Sequence, residues 1–149
     1  MTRLAILCFL LAIVACGPKP PGGGGAATAV LPDVPFEQLD HDQRIQFMKQ
    51  VVVPTMQPLF QGHDPQKYAS FGCKTCHGEP ADRGEYHMPS DKIPKLNFSD
   101  MSKFEQADIE WMKTEIKPTM ARLLKEAEYS QENPRGFGCL HCHMPQAPK

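Results

Sequence analysis

The stretch "IQFMKQVVVPTMQPLF", residues 45–60, returns 64 positions later as "IEWMKTEIKPTMARLL", residues 109–124. Seven of the sixteen aligned positions are identical: Ile45/Ile109, Met48/Met112, Lys49/Lys113, Pro54/Pro118, Thr55/Thr119, Met56/Met120 and Leu59/Leu123. Apolar side chains recur in steps of three and four, at 45, 48, 52, 56 and 59 and again at 109, 112, 116, 120 and 123. That spacing belongs to a 3.6-residue period and predicts two amphipathic helices, each with one buried face. Asp40 with Gln43, and Ser102 with Glu105, have the pattern of reciprocal helix-opening caps. Pro54 and Pro118 fall inside the stripes. A proline there removes a backbone donor and crowds the preceding turn, which predicts a kink or a break at the same place in both helices.

Outward from the two helices, "GEYHMPSDKIPKLNFSD" at 84–100 is rich in turn formers and reads as an extended loop crossing the surface. No alternating strand pattern appears, so the expected fold class is all-α. Cys73 comes seventeen residues after Met56, and Cys139 comes nineteen after Met120. Each opens a Cys-x-x-Cys-His run, "CKTCH" at 73–77 and "CLHCH" at 139–143. The repeated unit is therefore a helix, a connector and this run. A chain of 149 residues holds one small domain or two very small ones. The expected domain is 36–149, with units of about 36–98 and 99–149.

In one helical turn, positions i, i+3 and i+4 share a side. Cys73, Cys76 and His77 then converge while Lys74 and Thr75 point away, and Cys139, Cys142 and His143 converge in the same manner, with His141 expected to face solvent. Two thiols on one face can add to the two vinyl groups of a haem, placing the adjacent imidazole beneath the iron. This is the c-type haem attachment signal, and it predicts two covalently attached haems. A four-thiolate zinc site expects its knuckles fifteen to twenty residues apart, whereas Cys76 and Cys139 are far more widely spaced. A thioredoxin-like pair expects a βαβ setting that is missing here. Local disulfides across such short loops would restrain the unfolded chain little.

The sixth iron ligands are read from the repeat. Only six residues follow His143, and Met144 is adjacent to it, unable to reach the opposite face of the ring. The second haem must take its ligand from upstream, and if the units work alike the ligands are Met56 and Met120. Met88, in "HMPS", has no counterpart after His143. A methionine on an apolar stripe is most often core, and the alternatives are Met48 and Met112, or histidines from His41, His63 and His87.

The first fifteen residues, MTRLAILCFLLAIVA, join a charged start at Arg3 to an apolar run and have the form of an export signal, residues 1–15. "IVAC" resembles the bacterial lipobox, which makes Cys16 the expected lipidated first residue, and Gly17 after it resembles the outer-membrane sorting pattern. Loss of the signal removes Arg3 and no acid, so the formal charge of −1 becomes −2. No basic patch suggests nucleic acid as a partner. Residues 16–35 carry the lipid cysteine and a Pro/Gly-rich tether, whose eighteen residues from Pro18 would reach roughly 20 to 25 Å as a random coil.

Through "MKQVVVPTM" with "CKTCH" and "MKTEIKPTM" with "CLHCH", the chain resembles the multihaem cytochrome subunit of photosynthetic reaction centres and its small non-photosynthetic relatives. The resemblance covers about 36–143. It implies an axial methionine on the helix before each attachment run, an approximate twofold relation between paired units, and often a lipoprotein. Two units stand where the photosynthetic subunit usually has four, which points to a general periplasmic dihaem carrier. Histidine and thioether ligation fills both axial positions of each iron. The function expected is electron transfer, without enzyme activity, between redox partner proteins of the periplasm or membrane, from a lipid anchor on the outer membrane. The alternatives are a peroxidase- or reductase-like dihaem enzyme with one open iron, and a fixed subunit of a larger redox complex.

Overall fold

The computed structural model describes residues 30–146. The signal at 1–15, Cys16 and most of the tether lie outside the described residues. After a 3-10 turn at Phe36–Gln38 come α1 (His41–Phe47), a π-turn (Met48–Val52) and α2 (Val53–His63). The short α3 (Cys73–His77) leads into a 3-10 turn at Glu79–Arg83. A long loop then reaches α4 (Gln106–Trp111), a second π-turn (Met112–Ile116) and α5 (Lys117–Leu124), and a 3-10 turn at Cys139–His141 closes the described chain. Among the described residues there are isolated bridges but no strands, so the all-α expectation holds. None of these helices is long and apolar enough to cross a membrane.

The two repeated stripes form two helices, 41–63 and 106–124, and neither breaks at its proline. Each instead widens into a π-turn just before it. Val53 N–H donates to Met48 O and Lys117 N–H donates to Met112 O, five residues back rather than four. Pro54 and Pro118 then stand in the first turn of the following helix, where a missing N–H costs least. The wider turn also relieves the clash of the ring with the carbonyl one turn earlier. Where a break was one expected outcome, an inserted residue is found instead, at equivalent positions in both copies.

Asp40 opens α1 as expected, its carboxylate accepting from Gln43 N–H at 2.9 Å while Gln43 Oε1 accepts from Asp40 N–H at 3.0 Å. The second cap differs from expectation. Glu105 precedes α4 with no side-chain cap, and Ser102 spends its hydroxyl on Asp100 at 2.6 Å. The Ser102–Glu105 stretch folds as a turn before the helix begins.

The helices pack reciprocally. The first π-turn lies against α5 and the second against α2, so the earlier part of each helix meets the later part of the other. Val52, Met56 and Phe60 of the first helix bury against Ile116 of the second, with Trp111, Met112 and Phe71 around them. A second cluster, Ala121, Leu124 and Phe137, is covered by Phe36, Phe47, Met48 and Met120. Burying side chains of this size contributes about 1.5–3 kcal/mol each. At one end of the pair, His63 closes α2 and bonds Asp108 of α4 at 2.6 Å, its ring stacked on Trp111 at 4.0 Å.

Candidate haem-attachment site

Both attachment runs begin with "FG", and the phenylalanine anchors each run to its helix. Phe71 packs 4.8 Å from the Phe60 ring, and Phe137, 4 % exposed, is part of the second core cluster. The next residue is capped in the same way twice. Gly72 N–H donates to Thr75 Oγ1 at 3.1 Å, and Gly138 N–H donates to His141 Nδ1 at 3.0 Å. Thr75 therefore turns back toward the chain. His141, expected as a solvent-facing bystander, holds the start of the second turn and packs its ring on Phe137.

Between these caps the runs take the turn their spacing implies. Cys73–His77 is one turn of α-helix. It stops at Gly78, whose positive φ of 76° suits glycine, and a Cβ there would collide with the Lys92 side chain. The second run is a tighter 3-10 turn closed by His143 N–H donating to Cys139 O at 2.9 Å. All four cysteines carry free thiols and are half-buried. Burial pushes the Cys76 thiol up to about 11 and the Cys142 thiol up to about 12, with the negative charge of Cys76 adding to the effect on Cys142. These are neutral thiols near pH 7.

The two histidines of the runs are held differently. His143 Nδ1 donates to the carbonyl of Pro94 at 2.8 Å, which places a proton on Nδ1 and makes Nε2 the ring nitrogen that could ligate a metal. His77 is held below the ordinary histidine pKa, first by burial, with the nearby His87 backbone acting the other way. Its Nδ1 is buried without a hydrogen-bond partner, and Tyr86 lies edge-on 5.4 Å from its ring. Paired free thiols on one turn beside an imidazole are the donor set of covalent haem attachment, and these residues fit that group.

The methionines are placed less symmetrically. Met56, 2 % exposed, sits in the core with Val52, Phe60 and Ile116, and the side chains gathered around that cluster include none of the attachment cysteines. Met120 is half-buried and packs against the same cluster as Cys142, where Met48 also lies. Met88 is exposed in the inter-unit loop. Of the alternative histidines, His41 is exposed at the start of α1, His87 is exposed, and His63 has its Nε2 committed to Asp108.

The inter-unit loop does more than cross the surface, as the sequence had suggested. Ser90 and Leu96 are buried, Leu96 N–H donates to Met144 O at 3.0 Å, and Gln146 N–H donates to Leu96 O at 2.8 Å. The first unit's loop thus carries the carbonyl that orients the second unit's histidine. Reading the sequence missed Pro94 because a backbone carbonyl leaves no trace in residue type. The "FG" shared by the two runs was the legible signal for their anchoring. Comparison of the chain with family models, with curated proteins and with solved structures finds no match.

Proposed function

We propose that this chain is a lipid-anchored c-type dihaem cytochrome that carries electrons between redox partner proteins at the periplasmic face of a membrane. The observation that carries the reading is the doubled donor set, in which each turn offers two free thiols and an imidazole. Bound there, c-type haem supplies a one-electron iron couple. Cys73 and Cys76, and Cys139 and Cys142, hold it through thioether bonds. His77 and His143 would each supply an imidazole to the iron, and Met56 and Met120 would be the thioether donors. An iron with both of these donors supplied by the chain would leave no position for a substrate. Lipid on Cys16 keeps the domain at the membrane while the tether lets it meet partners.

Intact mass of the mature protein extracted from membranes tests this. The expected species begins at Cys16 with diacylglycerol and carries two haems, and Cys76→Ala or Cys142→Ala each weakens retention of one. A haem-free or one-haem wild-type mass overturns the dihaem reading, and a lipid-free chain overturns the anchor. The enzyme reading is favoured by one observation, the placement of Met56 in a cluster apart from the first attachment run. Carbon monoxide separates the two readings, since a reduced carrier with both irons saturated takes up little and an enzyme with one open iron takes up one equivalent.

A further inference from the structure

Ser90 is the buried polar residue of the described chain, 4 % exposed. Its Oγ donates to the carbonyl of His77 at 3.2 Å and accepts from Lys92 N–H at 3.1 Å. Its own N–H donates to the carbonyl of Cys142 at 2.9 Å. One residue therefore bonds the last residue of the first attachment run and the fourth residue of the second. Chained hydrogen bonds of this length hold those two carbonyl oxygens no more than roughly 10 Å apart. The strap continues past Ser90, where Pro94 accepts from His143 Nδ1 and Leu96 pairs on both sides with the tail at Met144 and Gln146.

We propose that Ser90 is a positioning residue that clamps the two attachment turns to each other, so that the haems form one interacting redox pair rather than two independent carriers. The proposal rests on the dihaem reading above. A serine with no surface to serve is costly to bury unless its hydroxyl is fully used, and here donor and acceptor are both satisfied by backbone. Because the turns are short and anchored by Phe71 and Phe137, their relative position is passed to whatever is bonded to their cysteines. A unit charge gained on one centre is felt strongly by another when little water lies between them. The second electron should then enter at a different potential from the first.

The test uses the holoprotein, with haem count by mass taken first. Visible circular dichroism in the Soret region and a redox titration follow, on wild type, Ser90→Ala and Ser90→Thr. The expected wild-type result is a two-signed Soret couplet and two separated midpoint potentials. Ser90→Ala should keep both haems but lose the couplet and narrow the separation, and Ser90→Thr, which keeps the hydroxyl, should restore both. A wild type with two haems, no couplet and a titration like that of independent centres overturns this proposal and leaves the electron-carrier reading standing. Ser90→Ala that is merely less stable, with an unchanged couplet, also overturns it, since Ser90 is then only a structural hydrogen bond. If Ser90→Ala does not mature, the wild-type couplet still decides whether the haems interact, and its loss in a mature Ser90→Thr overturns the clamp. A chain without covalent haem overturns both readings.

Discussion

Met56, Met120 and Met88 are three methionines with three settings, and their substitutions should separate accordingly. Met56 is 2 % exposed among packed apolar side chains, so Met56→Ala should destabilise the fold by about 2–5 kcal/mol. Met88 is 36 % exposed, and Met88→Ala should stay within about 0.5 kcal/mol of wild type. Met120→Ala should open an axial position, read as carbon monoxide uptake by the reduced protein, and failure to bind it would remove Met120 from the ligand set. Denaturant midpoints read the first two, and equal effects at Met56 and Met88 would contradict the packing. Asp108 gives a pH prediction. Its hydrogen bond with His63, then the charge of Lys67, hold the carboxyl below its ordinary value of 3.8. A depressed carboxyl adds stability above its unfolded pKa and loses that contribution as pH falls through the folded value. The side chain is 38 % exposed, so the contribution is small. Asp108→Asn should lower the denaturant midpoint at pH 7 and converge with wild type in acid below the ordinary value, and a constant offset at all pH would reject the link.

The π-turns are the feature of the elements that most needs a cause. Each sits at the same register, opens with a methionine, and ends just before a proline-containing helix start. If the inserted residue exists to seat the proline, deleting exposed Thr114 should force an ordinary α-turn against the Pro118 ring and cost on the order of 3 kcal/mol. Adding Pro118→Ala to the deletion should recover most of that loss. A deletion as harmful with alanine as with proline would mean that the widened turn serves packing against α2 instead. The cycle isolates the coupling because the two changes are neighbours in one turn.

At the scale of the molecule, the two sequence repeats are not two folding units. The core joins Val52, Met56 and Phe60 to Ile116, and the second cluster takes Phe36, Phe47 and Met48 from the first repeat. Separate polypeptides of 36–98 and 99–149 should therefore show no cooperative unfolding transition, whereas 36–149 should. A stable, cooperatively melting half would show that the reciprocal packing is dispensable. Both halves also need the loop between them, because the carbonyl oriented toward His143 belongs to Pro94.

The helices, the attachment turns and their doubling were set by the sequence, because each depends on contacts within a few residues. Apolar steps of three and four make a stripe, Asp40 and Gln43 cap it, and Cys73, Cys76 and His77 meet within one turn at any location in a fold. The π-turn was half visible: Pro54 and Pro118 marked the place, but a kink, a break and an inserted residue all answer a missing N–H, and only packing on both sides selects among them. The joining of the two turns through Ser90, the carbonyl of Pro94 on His143 and the unequal settings of Met56 and Met120 were decided by tertiary structure. The hydrogen bonds among those contacts link residues up to 52 positions apart in the chain, as Ser90 and Cys142 are, and each ends on a backbone carbonyl, which is the same in every residue.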